Sequence, residues 1–291
     1  MHSYNRAIGF KGIEKKKDFK KILSNIIEYP DETRVTSTDE ETNMVEIRKE
    51  FADGIGILVY GHYREDSEFE IEYYIPYIKG INKQLGEEIS ITRHISRESF
   101  SGICEDMRVG ISLIYYLQNG MDYIENQLKE KKSNFHTSMW MSGLSTSGTI
   151  ILPVSKNENQ IQRHKIANMN RKNLLSAAKK GDEDAIESLT MEDLDTYSRI
   201  SKRIIYEDVF SIVDSSFMPY GVECDQYTVV GDITELKLLT NSYTKELVYF
   251  MNINCNDFKF NLAINKEDLL GEPEVGRRFK GTIWLQARVD F

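Results

Sequence analysis

The sequence predicts an α+β protein in three parts: an N-terminal domain on a largely antiparallel sheet (residues 1–158), a helical connector (159–205) and a C-terminal small β-barrel of OB-like type (206–291). Three observations carry this. From Val45 apolar residues alternate with acids at a period of two. Between 159 and 205 the period becomes helical. The closing residues alternate again, with Phe279, Gly281, Ile283, Leu285, Ala287 and Val289 on one face and Lys280, Thr282, Trp284, Gln286, Arg288 and Asp290 on the other.

Taken in order, residues 15–29 hold Phe19, Ile22, Leu23, Ile26 and Ile27 at helical spacing, and Pro30 ends that helix. The lysines around it predict a solvated face. Residues 31–43 are polar and read as a loop. Val45, Ile47, Lys49 and Phe51 form a strand that turns at Asp53-Gly54, a type I′ hairpin signal. Ile55, Ile57 and Val59 return, Glu65-Asp66-Ser67 turns again, and Phe69, Ile71, Tyr73 and Ile75 make a third strand with glutamates on its wet face. Further strands are expected at 88–95, 108–118, 135–144 and 149–154, with a helix at 121–131 and Ser145-Thr146-Ser147-Gly148 as a hairpin turn. In the connector a basic helix runs to Lys180, Asp182 caps a second helix and Thr190 caps a third. The last part has a long strand at 227–239, strands at 247–253 and 258–264, a helical turn at 266–270 and the closing strand. A five-stranded barrel needs one more strand, expected at 211–217.

Net charge is −9, from 37 Lys and Arg against 46 Asp and Glu. The connector (160–204) carries 9 basic and 7 acidic residues, while 205–291 carries 8 and 14. A chain acidic at both ends is poorly suited to a phosphate backbone, so nucleic acid is not an expected partner. Cys104, Cys224 and Cys255 are odd in number, far apart and without Cys-x-x-Cys spacing, which fits reduced thiols. No apolar leader and no run of about 20 apolar residues is seen, so a cytoplasmic location with no membrane partner is expected.

Three stretches resemble a known family: Tyr4-x-Arg6-Ala7-Ile8-Gly9-Phe10; residues 217–227, FMPYGVECDQY; and residues 271–281, GEPEVGRRFKG, with Trp284-Leu285-Gln286. The chain is similar over essentially its whole length to an uncharacterised clostridial family, domain of unknown function 3881. Ala287 stands where a glycine often follows the Trp-Leu-Gln of that pattern. The resemblance implies a bacterial cytoplasmic protein of about this length and carries over no functional residue.

Catalytic and cofactor motifs are missing. The five histidines are scattered, so no metal or other cofactor is expected; His94 and Cys104 could meet across a hairpin, without an orienting third group. Residues 276–282 have the outer spacing of a phosphate loop but lack the lysine after the second glycine. The acid pairs Asp182/Asp184 and Asp193/Asp195 read as helix N-termini. Two interaction features stand out. Trp284 shares its face with Lys280 and Arg288, next to Arg277 and Arg278; it either stacks on a ligand or partner there, or packs the barrel against the N-terminal domain. The basic helix 163–180 either binds an acidic partner, docks on its own chain or is solvated. The expected function is a non-catalytic binding or protein-interaction module for a protein or small molecule. One alternative is an enzyme built around Tyr220, Glu223 and Asp225; the other is single-stranded nucleic-acid binding.

Overall fold

The computed structural model describes residues 2–37, 43–64, 68–94, 99–106, 108–128, 136–154, 158–222 and 225–291. A 3-10 turn at Ser3–Ile8 precedes helix α1 (Lys16–Glu28), which buries Phe19, Ile22, Leu23 and Ile26 and leaves its lysines in solvent. Strands β1 (Glu32–Ser37), β2 (Asn43–Ala52), β3 (Ile55–Tyr63) and β4 (Phe69–Ile78) form an antiparallel four-stranded meander.

Two local readings change here. Residues 32–37, expected as loop, are a strand, because Arg34 and Thr36 reach across to Glu125 on a distant helix. The Asp53-Gly54 turn is not type I′. Only Gly54 has a positive φ (+66°), and the register shifts between Glu50 and Ala52, so a bulge absorbs the turn. The two-residue I′ geometry instead occurs at Asn256 (φ 53°) and Asp257 (φ 66°).

The second sheet collects β5 (Lys83–Arg93), β6 (Phe100–Asp106), β7 (Ile111–Leu117) and, after helix α2 (Gly120–Leu128), the long strand β8 (His136–Ile151). The Ser145–Gly148 cluster therefore does not turn the chain. It lies inside β8, where Ser145 Oγ donates to the Thr282 carbonyl (2.8 Å) beside a bulge in the pairing with the last strand. Helices α3 (Glu158–Lys179) and α4 (Glu183–Ile204) follow, then a single turn α5 (Val209–Ile212). Asp182 caps α4 through Ala185 N, as expected, but Thr190 interrupts nothing: its hydroxyl bonds the Ile186 carbonyl within a continuous helix. The C-terminal strands are β9 (Ser216–Pro219), β10 (Gln226–Thr240), β11 (Leu247–Cys255), β12 (Phe258–Asn265), β13 (Leu269–Leu270) and β14 (Arg278–Val289).

Strand pairing crosses both expected boundaries. The pairs β10–β11, β11–β12, β12–β8, β8–β14 and β14–β10 trace one circuit of five strands. The fifth member is β8, from the expected N-terminal domain, and not residues 211–217, which hold only the end of α5 and the start of the short edge strand β9. A second circuit runs β8–β5–β6–β7–β14 and shares the β8–β14 pair. Both strands are long enough, 16 and 12 residues, to serve two neighbourhoods in succession.

Two apolar cores result. Phe279, Ile283, Leu285, Ala287 and Val289 of β14 join Phe258, Phe260, Leu262 and Ile264 of β12 in one. The other lies between the meander, α1, the N-terminal turn and the outer faces of β11, β12 and β14, where Val248, Phe250, Ala263 and Trp284 contribute. No helix among the described residues is long and apolar enough to cross a membrane.

Candidate functional site

Strand β14 and the residue before it place the five expected site residues in different environments. Trp284 is turned away from the strand's inner core, as its alternation demands, yet it is only 5% exposed. Its indole stacks on Tyr4 (centroids 5.3 Å, planes 27° apart) and touches His2 (4.7 Å) and Tyr116 (5.3 Å). Its Nε1 donates to Asp225 Oδ2 at 2.6 Å. The indole is thus the joint between the N-terminal turn and the large sheet: it points outward from the inner core as expected, and of its two expected roles the ligand-stacking one is corrected, because the opposite face of the strand is covered by the chain's own first residues.

Arg278 is also buried, at 3%. Its Nε and Nη2 donate to the Leu152 carbonyl (2.9 and 2.7 Å), Nη2 also to Phe210 O (2.6 Å), and Nη1 to Val213 O (2.8 Å) and Asp214 O (3.1 Å). The guanidinium holds the chain on either side of the helical hairpin. Burial pulls its pKa below the usual arginine value, against the opposing pull of Asp232, Asp214 and Asp208. Arg277 bonds locally to Glu272 O (2.8 Å) and Glu274 (2.9 Å), and Lys280 Nζ lies 4.0 Å above the Phe210 ring. The alternative cluster is dispersed as well. Asp225 is engaged by the indole, Tyr220 is half-exposed, and Glu223 lies outside the described residues.

Arg288 is the exception. It is exposed and stands directly opposite Trp140 of β8 in the strand register. Both line a cleft of about 450 Å³ between the end of β14, the end of β4 and α2, with Lys79, Gln118, Asp122, Glu125 and Asp290. Gly80 lets the backbone pass there: a Cβ would come within 2.9 Å of Trp140 Cβ and 3.0 Å of Met141 O. The floor is a buried amide network. Gln118 Nε2 donates to Ile78 O (2.9 Å) and Gln286 Oε1 (2.8 Å), Gln286 Nε2 to Pro76 O (2.9 Å), and Asn119 Nδ2 to Val289 O (2.6 Å). These bonds tie β4, β14 and α2 into one rigid wall.

The charges of the cleft divide unequally. Asp122 and Glu125 face Arg34 (2.6 and 3.1 Å), and Thr36 Oγ1 also donates to Glu125 (2.8 Å). They therefore share one cation, which lies outside the cleft. Arg288 and Lys79 make no ion pair among the described residues, and Asp290 is the acid beside them. A larger groove of about 800 Å³ between α1 and β4 differs in this respect: there Arg64 pairs with Glu70 (2.7 Å) and His62 Nδ1 lies 3.3 Å from Glu72. Sequence reasoning missed Trp140. The signal was present, since Met139 and Met141 flank it as Ile283 and Leu285 flank Trp284, but nothing local tells which of two equivalent tryptophans will be covered.

Beneath the cleft lies a second feature without a sequence signature. Glu46 on β2 is 2% exposed, its Oε2 has no hydrogen-bond partner, and Arg48 Nη2 is 3.6 Å away. Tyr60, whose hydroxyl donates to Gln118 O at 3.1 Å, adjoins this carboxyl. Burial raises the Glu46 pKa, against the lowering effects of Tyr60, Arg48 and Arg34. The folded state thus holds a proton that the unfolded state gives up near pH 4.3, and stability falls as pH rises from that value through the raised one. Glu46→Gln is expected to flatten this slope and to raise the melting temperature at pH 7 by about 2 °C, or ~1 kcal/mol, with no gain at pH 4. Thermal melts of both proteins across that range check it.

The expected His94–Cys104 pair is not formed. Cys104 is buried in the sheet core, and His94 Nε2 instead meets Ser101 Oγ at 2.8 Å. Burial pushes the thiols of Cys104 and Cys255 up to about 12, which leaves them as thiols at neutral pH. Among the described residues no three His, Cys, Asp or Glu side chains converge as metal ligands.

A family model described as a domain of unknown function, E. rectale gene description (number 3881), matches residues 5–287. No curated protein and no solved structure matches the chain.

Proposed function

We propose, for a chain that belongs to this family of unknown function, that it is a non-catalytic binding protein and that its ligand is a small anion with a planar part, held in the cleft at the end of β14. The observation that carries this reading is the pairing of Arg288 with Trp140 across adjacent strands, in a cleft whose two α2 carboxylates share Arg34 and so leave Arg288 without an acid partner from α2. A guanidinium presents two parallel N–H donors to a carboxylate or phosphate, and an indole offers a flat apolar face beside it. Lys79 supplies a second cation, and the amide floor keeps the walls from collapsing between binding events. Nothing is transferred; recognition is the activity.

The same reading extends to the fold. Strands β10, β11, β12, β14 and β8, in that order, pair as the five strands of an OB-type barrel do, with β12 and β8 parallel and the other contacts antiparallel. The strand that would come last in such a barrel comes first in this chain. Single-stranded nucleic acid has less support, because Arg277, Arg278 and Lys280 are engaged within the protein and leave no cationic track beside Arg288.

The test is a titration with aromatic carboxylates and nucleoside monophosphates, read by tryptophan fluorescence and by amide NMR shifts. Binding of at least one probe should shift resonances of Gly80, Gln118 and Arg288. Arg288→Ala should weaken it by about 10- to 100-fold, the loss of one charge-assisted contact, without changing the melting temperature. Probes that leave those resonances unmoved at millimolar concentration, or bind Arg288→Ala as well as the parent, would refute the proposal.

A further inference from the structure

The cleft at the end of β14 has two walls of opposite charge. On the sheet side stand Arg288 and Lys79, with Lys83 Nζ 6.0 Å above the Trp140 ring, and Asp290 is the acid among them. On the α2 side stand Asp122 and Glu125, which share Arg34 as their one ion-pair partner among the described residues. Two acids against one cation leave that wall negative. Its oxygens are unevenly used. Asp122 Oδ1 takes Arg34 (2.6 Å) and Oδ2 takes Asn119 Nδ2 (2.7 Å), while Glu125 Oε1 takes both Arg34 (3.1 Å) and Thr36 Oγ1 (2.8 Å). Glu125 Oε2 accepts no hydrogen bond among the described residues. Gln118 repeats the pattern. It is 7% exposed and lines the cleft; its Nε2 serves Ile78 O, Ser142 Oγ and Gln286 Oε1, and its Oε1 accepts from no described residue.

We propose, resting on the reading of this cleft as the binding site, that its ligand is an aromatic α-amino acid bound as a zwitterion. Its carboxylate meets Arg288 and Lys79, its ammonium lies between Glu125 Oε2 and Gln118 Oε1, and its ring lies against Trp140. The two unfilled acceptors select the ammonium. A ligand that is only an anion brings its negative charge into the same small space as Glu125, where like charge opposes it and neither acceptor gains a donor. An ammonium on the carbon next to the carboxylate turns that repulsion into charge-assisted hydrogen bonds and leaves the contact with the guanidinium intact. A free amine, conversely, has nothing to give Arg288 and Lys79. The dimensions agree with this choice. A cleft of about 450 Å³ is of the order of 9 Å across. An α-amino acid bridges that span with about 3 Å between its two charged groups and about 2.8 Å for the hydrogen bond to each wall.

Calorimetric titration of the full chain with phenylalanine, 3-phenylpropionate and phenethylamine tests this, because the three share a phenyl ring and differ in the charged groups they carry. Phenylalanine should bind about tenfold or more tightly than either of the others. Glu125→Gln should bring phenylalanine to about the level of 3-phenylpropionate and leave 3-phenylpropionate no weaker than in the parent. The ligand series on the parent chain decides the matter even where that variant melts early. If 3-phenylpropionate binds as well as phenylalanine, or a nucleoside monophosphate binds and phenylalanine does not, the zwitterion is overturned and the anion site stands. A folded Glu125→Gln chain that keeps the full preference for phenylalanine overturns the place given to the ammonium. Phenethylamine binding as well as phenylalanine, or no binding of any of these probes at millimolar concentration, overturns the zwitterion and the anion site together.

Discussion

Trp284→Ala is expected to lower the stability of the folded chain by about 3–5 kcal/mol, the usual cost of truncating a buried tryptophan. The melting temperature should fall by about 6–10 °C. The loss has three sources: the apolar area of the indole, its ring contacts with His2, Tyr4 and Tyr116, and the hydrogen bond from Nε1 to Asp225 Oδ2. Trp284→Phe separates these, since it keeps most of the area and loses the hydrogen bond; it should recover about half of the deficit. Hydrogen exchange should speed up first in the N-terminal turn, which the indole anchors. A variant that melts like the parent would mean that the indole bears no weight in the fold.

The second large effect is at Arg278. Arg278→Met keeps length and apolar contact but strips four carbonyls, those of Leu152, Phe210, Val213 and Asp214, of their donors. Part of that group lies near the surface and recovers water, so the expected loss is about 3 kcal/mol rather than the full sum over four unsatisfied acceptors. Arg278→Lys should rescue little, because one ammonium cannot reach carbonyls on both sides of the helical hairpin as a planar fork does. Denaturant melts give the magnitude. Faster amide exchange confined to α5 and β9 would show that the arginine acts by holding the chain where it re-enters the sheet.

Both expectations invert a reading that the sequence supports equally well. A tryptophan and two arginines on the polar face of a strand look like a binding surface when that strand is assumed to have one wet side. Here β14 has none over most of its length: one face is covered by β12 and its neighbours, the other by the N-terminal turn and the meander. The alternation of β14 was legible and correct, with Ile283, Leu285, Ala287 and Val289 inward and Trp284 outward from that core. What alternation cannot convey is whether outward means solvent. The same limit explains β1, where a polar, acidic segment becomes a strand because Arg34 finds carboxylates about ninety residues away on α2. It explains β8 too, where a serine-rich stretch that would turn an isolated hairpin stays extended because partners bind it on both edges.

The sequence by itself determined the period of each segment: the amphipathic first helix, the acidic-faced meander, the helical connector and the alternating closing strand. These follow from side-chain spacing, which is a local property. Only the tertiary structure decided that β8 completes the C-terminal circuit, that Trp284 is covered while Trp140 lines a cleft, and that Arg288 alone of the nominated cations faces outward into it. Those outcomes depend on which segments, tens or hundreds of residues apart, lie against each face, and pairing energies of that range leave no periodic mark on the chain.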